Sequence, residues 1–111
     1  SIDNVMVYGE NRLYTIALVV PNFFALERFA EEHGLSADVK ALIARDDVRE
    51  MITREIQEGL KGKFGGYEIP KKVILLTEPF SLENGTLTQT MKLKRRVVLK
   101  KYEDLIEAAY R

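Results

Sequence analysis

The chain has 111 residues, 46% of them hydrophobic and 31% charged, with 17 basic and 17 acidic side chains and no cysteine. That length and balance predict one globular domain burying about two thirds of its unfolded surface, and they exclude a disordered segment, a disulfide scaffold and a thiolate zinc site. No apolar run reaches the ~20 residues that span a bilayer and no signal peptide is visible, so the reading is a cytoplasmic chain without a transmembrane segment, with peripheral membrane association of a full-length protein left open. Ser1 in place of a start methionine points to a processed chain or an excised piece of a longer one.

Val5 to Tyr8 is a short apolar run stopped by Gly9-Glu10-Asn11, a turn composition. Tyr14 to Val20 follows, rich in aliphatic and β-branched residues and ended by Pro21, and the short connection predicts an antiparallel hairpin. Asn22 is placed to cap a helix running to about His33, with Gly34 as its stop and Phe23, Leu26 and Ala30 on one face. Ser36 would cap a short helical segment through Ile43. Asp47 and Glu50 read as an Asp-x-x-Glu capping box ahead of an apolar stripe of Met51, Ile52, Ile56 and Leu60, and loss of the Asp47 cap would cost ~1 kcal/mol.

Gly62, Gly65 and Gly66 end that helix before Tyr67. Lys72 to Thr77 reads as a third strand whose Val73-Ile74-Leu75-Leu76 run is too uniformly apolar for a half-exposed position, which predicts a central strand covered on both faces. A final helix is expected after Lys92, with Val98, Tyr102, Leu105, Ile106 and Ala109 on one face. The sum is an α+β fold, a three-stranded mixed sheet flanked by helices, in a single domain over residues 1–111. His33, beside Gly34 at a helix end, is read as a favourably placed C-terminal side chain rather than a catalyst. Glu31, Glu32, Asp46 and Asp47 have no metal-ligand spacing, and no metal site is assigned.

Residues 1–50 carry nine acids and five bases, and residues 51–111 carry eight acids and twelve bases. Six of the ten residues from Lys92 to Lys101 are Lys or Arg. Such a run is either a solvated helix face or a patch that meets an anion, whether nucleotide phosphates or an acidic partner. Nucleic acid is not indicated, because neither an aromatic sheet motif nor overall basicity is present. The bases also fall at the predicted start of a helix, where the macrodipole disfavours them, and this conflict argues for a role outside the helix. Just upstream, Gly85-Thr86-Leu87-Thr88-Gln89-Thr90-Met91 has a loop composition, so Lys92 is a cation on a polar, movable segment.

This stretch resembles the terminal signature of AMP-forming acyl-CoA synthetases, a Thr-x-x-x-Lys-x-x-Arg element, here Thr88-Gln89-Thr90-Met91-Lys92-Leu93-Lys94-Arg95. Upstream, Tyr67-Glu68-Ile69-Pro70-Lys71 looks like the family's aromatic-x-x-Pro-Lys segment, and Arg95 to Tyr110 looks like its closing helix. Many members have glycine before the lysine; Met91, with Leu-Thr-x-Thr before it, is similar to the long-chain fatty acid branch. The resemblance implies the small C-terminal lid domain of a long-chain fatty acid–CoA ligase, with the large N-terminal domain and the hinge upstream of these residues.

On that resemblance, Lys92 is the lysine that assists attack of a fatty acid carboxylate on the α-phosphate of ATP. The lid then rotates so that CoA can attack the acyl-adenylate. Arg95 matches the family's arginine, as a nucleotide contact or as an internal salt bridge. Tyr67 and Lys71 match positions that touch the nucleotide part of CoA in some relatives, although Ile69 stands where some carry arginine. Magnesium would travel with ATP and be held mainly by the large domain. Thr88 and Thr90 would shape the loop through side-chain to backbone bonds. The 111 residues alone are expected to fold without catalysing. Three other readings stay open: another adenylate-forming ligase, a stand-alone interaction module docking an acidic protein through its basic face, and a small-molecule regulatory domain.

Overall fold

A computed structural model of the chain describes residues 2–9, 12–60 and 69–111. Two compact units divide it, residues 1–77 and residues 78–111. In the first unit, β1 (Ile2–Tyr8) and β2 (Ile16–Pro21) form the expected antiparallel hairpin, with Val5 opposite Val19 and Val7 opposite Ala17. Helices α1 (Phe23–Glu32), α2 (Val39–Ile43) and α3 (Asp46–Leu60) follow, and β3 (Lys72–Leu75) returns parallel to β2. A parallel partner cannot be reached by a tight turn, and the three helices supply the crossover.

The sheet order is β1-β2-β3, so β2 is central and β3, among the described residues, lies at an edge. This corrects the expectation of a central third strand. Uniform apolarity reports burial of both faces, not pairing along both edges, and Val73, Ile74 and Leu75 are indeed buried. Every residue of β2 is buried as well. Alternation along the strands sorts one face into a single core: Ala17, Val19, Val73 and Leu75 pack with Leu26 and Ala30 of α1, Leu42 of α2, and Val48, Ile52 and Ile56 of α3.

The helix ends separate good sequence signals from misleading ones. Asn22 caps α1 as expected, its side-chain oxygen accepting the Ala25 N–H at 2.9 Å while its amide donates to Asp3 at 3.0 Å. Gly34 follows with φ +66, the left-handed turn that releases the chain from the helix. His33 donates from Nδ1 to the Phe29 carbonyl at 2.8 Å and stacks on the Phe29 ring, a structural use of the ring. Ser36 is not the cap of α2: Asp38 holds that position without a side-chain bond, and the Ser36 hydroxyl accepts the Asp38 N–H at 3.3 Å.

The box expected around Asp47 does not form either. Helix α3 starts at Asp46, and Asp47 sits within the first turn, its carboxylate gripped by Arg45 through two bonds of 3.0 Å and accepting the adjacent Val48 N–H. The Arg45 guanidinium holds the Asp47 carboxyl below its usual range. The glycines at positions 62, 65 and 66 and Tyr67 lie outside the described residues.

In the second unit, the single closing helix expected from the sequence is two: α4 (Arg95–Lys101) and α5 (Glu103–Ala109), broken at Tyr102. Val98 and Ile106 are buried as predicted, but Leu105 is 49% exposed. The break removes part of the conflict between the bases and the helix dipole, with Lys94, Arg95 and Arg96 still at the start of α4. Lys100 and Lys101 occupy the last turn of α4, and Glu103 and Asp104 the first turn of α5, the favoured sign at each end. Only Arg95 and Arg96 remain in the first turn of α4.

Candidate functional site

The site is built on the loop preceding α4. The Leu82–Gly85 turn closes with a 3.1 Å bond from the Gly85 N–H to the Leu82 carbonyl, and Gly85 takes a φ of +78 that suits glycine. Three side chains fasten this turn. Asn84 donates from Nδ2 to the Pro79 carbonyl at 2.9 Å, and its side-chain oxygen accepts the N–H groups of Ser81 and Thr86 at 3.2 Å. Thr86 is fully buried, and its hydroxyl accepts the Ser81 N–H at 2.9 Å and bonds the Asn84 oxygen. The Ser81 hydroxyl in turn accepts the Asn84 N–H. Thr86 belongs to the stretch whose composition predicts a loop, whereas Ser81 and Asn84 were signalled only by the Ser-x-x-Asn-Gly turn composition.

From this anchor the chain forms a narrow hairpin. Leu87 pairs antiparallel with Leu93, and the Lys94 N–H donates to the Thr86 carbonyl at 2.8 Å. At the tip, the Met91 N–H donates to the Thr88 carbonyl at 2.9 Å and the Thr88 N–H to the Lys92 carbonyl at 2.8 Å. The Thr88 hydroxyl accepts the Lys92 N–H at 3.0 Å and lies 3.1 Å from the Thr90 hydroxyl. Thr88 therefore shapes the loop through a side-chain to backbone bond, as expected, whereas the Thr90 side chain meets only the Thr88 hydroxyl among the described residues. The chain turns back at Met91, which has φ +65 and is 66% exposed. A residue in the left-handed region closing a short hairpin loop is the position where glycine is ordinarily found.

Lys92 lies at the end of this turn, three residues before α4, rather than at the helix start; Lys94 holds the N-cap position of α4 and caps with no side-chain bond. The Lys92 side chain is exposed, and its ammonium makes no ion pair with any described residue. Two other cations of the run are engaged: Lys100 meets Glu103 at 3.4 Å, and Lys101 meets Glu78 at 3.1 Å, a contact that raises the pKa of the lysine, while Lys94 and Arg96 are exposed like Lys92. Arg96, Val97, Lys100, Lys101 and Asn84 line an open hollow of about 390 Å³ in the same unit.

Arg95 opens α4 and is half-buried, in the same unit as Lys92. Lys71 belongs to the first unit, exposed just before β3, with its backbone N–H donating to the Thr15 carbonyl at 3.0 Å. Tyr67 lies outside the described residues. No group of three or more His, Asp or Glu side chains among the described residues is arranged to hold a metal ion. No described helix is long and apolar enough to cross a membrane.

No family model matches the chain. Among curated proteins it is 38% identical over its whole length to long chain acyl-CoA synthetase 4 of Arabidopsis thaliana, of which it covers 17%. It is 34% identical to long-chain-fatty-acid–CoA ligase 5 of Mus musculus, with 96% of this chain and 16% of that protein aligned. Among solved structures, the adenylation domain of a carboxylate reductase from Mycobacterium chelonae superposes with a TM-score of 0.76 at 34% identity, over 98% of this chain and 15% of that one. The corresponding domain from Segniliparus rugosus, in complex with AMP and a co-purified carboxylic acid, gives a TM-score of 0.62 at 35% identity, over 98% of this chain and 16% of that one. The chain thus spans about a sixth of the length of the curated relatives it matches.

Proposed function

We propose, from the premise that this chain belongs by homology over its whole length to one segment of the long-chain acyl-CoA synthetases, that it is the lid domain of a ligase joining a fatty acid to CoA at the expense of ATP. The reading rests on one observation above the others: Lys92 is an exposed ammonium, without an ion pair among the described residues, at the end of a hydrogen-bonded hairpin. A cation held that way can be presented to an anion without first being stripped from a partner.

In the first half-reaction the fatty acid carboxylate attacks the α-phosphorus of ATP. The bond to pyrophosphate breaks as the acyl–phosphate bond forms, and negative charge grows on the phosphoryl and leaving oxygens. Lys92 places its ammonium against those oxygens, a stabilisation that is larger in the transition state than in the bound substrates. Lysine fits because its charge is compact and its stem long. In the second half-reaction the CoA thiol attacks the acyl carbonyl and AMP leaves. The lid rotates between the two, withdrawing Lys92.

Arg95 supports the nucleotide from the start of α4, and by the motif they share with some relatives Tyr67 and Lys71 meet the nucleotide part of CoA. Magnesium travels with ATP in this reading and is held mainly by the large domain. The protein's own large domain is the partner of the lid in this reading, and the compartment is the cytoplasm.

A docking module for an acidic protein would need the basic run to act together. Lys100 and Lys101 are already ion-paired within their own unit, whereas Lys94 and Arg96 are exposed like Lys92, so mutation of Lys92 alone is what separates the two readings. The test is Lys92→Ala in the full-length protein. Fatty-acid-dependent ATP–pyrophosphate exchange should fall by ~10²–10³, equivalent to ~3–4 kcal/mol of transition-state stabilisation. Thioester formation from supplied acyl-adenylate should be nearly unchanged. Equal losses in both halves would remove the proposed role.

A further inference from the structure

Thr88 is joined to the lysine turn at every polar atom it owns. Its carbonyl accepts the Met91 N–H, its N–H donates to the Lys92 carbonyl, and its hydroxyl accepts the Lys92 N–H while touching the Thr90 hydroxyl. Lys92 is held at both its backbone N–H and its carbonyl by this one residue. Between them lies Met91, an L-residue with φ +65 whose side chain is largely exposed. Neither the backbone preference nor the side-chain burial of Met91 favours that turn, so hydrogen bonds hold it: the Leu87–Leu93 and Lys94–Thr86 pairing at its base, and at its tip the bonds to Thr88.

We propose that Thr88 is the positioning residue of Lys92: its hydroxyl clasps the Lys92 backbone across the strained Met91 turn and fixes the point from which the ammonium departs. This rests on the reading of Lys92 as the adenylation cation. The clasp holds the backbone and leaves the four-carbon side chain free. That combination gives a fixed origin and a movable charge. A displacement of the lysine root by about 1 Å is enough to cost a large factor in rate, because the charge must meet oxygens within hydrogen-bond distance.

The experiment uses the full-length protein and three variants, each measured for ATP–pyrophosphate exchange and for thioester formation from supplied acyl-adenylate. Thr88→Val keeps the shape and removes the hydroxyl; its kcat for exchange should fall roughly 10-fold with KM for ATP and fatty acid little changed. Thioester formation should stay within about 2-fold of the parent. Thr88→Ser restores the acceptor and should recover exchange to within about 2-fold. Hydrogen exchange at the Lys92 amide should speed up in the valine variant and not in the serine variant.

A Thr88→Val protein with unchanged exchange kinetics, or losses shared equally by the two half-reactions, or no rescue by serine, would overturn the clasp. The third variant, Lys92→Ala, separates the two ideas. If it abolishes exchange while Thr88→Val is harmless, the clasp alone fails. If it leaves exchange intact, the reading of Lys92 fails and the positioning role of Thr88 falls with it.

Discussion

At Met91 the chain accepts a backbone conformation that costs an L-residue roughly 1–2 kcal/mol. Its exposed side chain returns little packing energy. Met91→Gly should therefore stabilise the fold by about 0.5–1 kcal/mol, the relief of strain outweighing the extra entropy of glycine in the unfolded chain. Met91→Val, branched at Cβ and more strongly excluded from this region, should do the opposite. Thermal unfolding of the two variants checks the pair, and a drop in Tm for glycine would show that the methionine side chain stabilises the tip. The sequence held a hint of this geometry, because glycine is the residue often found here in the family the motif resembles. Thr88 was legible as a loop-shaping residue from its chemistry alone. The Ser81–Asn84–Thr86 network was not, since which of several short polar side chains bond one another depends on a turn that only the folded backbone defines.

At the scale of elements, apolar periodicity was a sound guide to where helices and strands lie and a poor one to how they end and pair. Asn22 and Asp47 show the difference. Both are preferred cap residues, but only Asn22 caps, because α3 already starts at Asp46 and the Asp47 carboxylate, inside the first turn, is held by Arg45. Asn22→Ala should cost about 1 kcal/mol, from the lost bond to the Ala25 N–H and with it the bond to Asp3. Asp47→Asn should lower Tm by less, since it removes an exposed ion pair and no cap. The pH dependence has a defined sign. The Asp47 pKa is lowered, first by its hydrogen bond from Arg45, so the folded state binds that proton less readily than the unfolded chain. The contribution of the carboxylate is present above the ordinary carboxylate range and lost as pH falls through the lowered value. The difference between parent and Asp47→Asn should therefore vanish in acid, which denaturant titrations at neutral and acidic pH would measure. Likewise the edge position of β3 and the break at Tyr102 were hidden because an apolar pattern records burial, while strand order and helix continuity are settled by the crossover and by the charges flanking Tyr102.

For the whole molecule, the sequence revealed the class of the fold and offered Lys92 as the cation of the proposed reaction, and what it withheld is whatever else that reaction needs. The chain covers 17% of the Arabidopsis synthetase it resembles at 38% identity. Within these residues Lys92 stands exposed on a hairpin, and the hollow of the same unit is open. Adenylation needs more than a cation: two reactants must be held in line and water kept from the activated phosphate. An exposed ammonium in water loses most of its electrostatic leverage, because the interaction falls steeply with dielectric. The core, by contrast, is self-sufficient, with Ala17, Val19, Leu26, Leu42, Val48 and Ile52 at most 1% exposed. The 111-residue chain should then unfold in a cooperative thermal transition and yet show ATP–pyrophosphate exchange no higher than buffer, at any fatty acid concentration. Exchange that is robust and abolished by Lys92→Ala would mean that these residues hold nucleotide and acid unaided, and the division of labour between lid and large domain would have to be redrawn. A chain that neither unfolds cooperatively nor turns over would instead show that the packing of β2 depends on surface outside the segment.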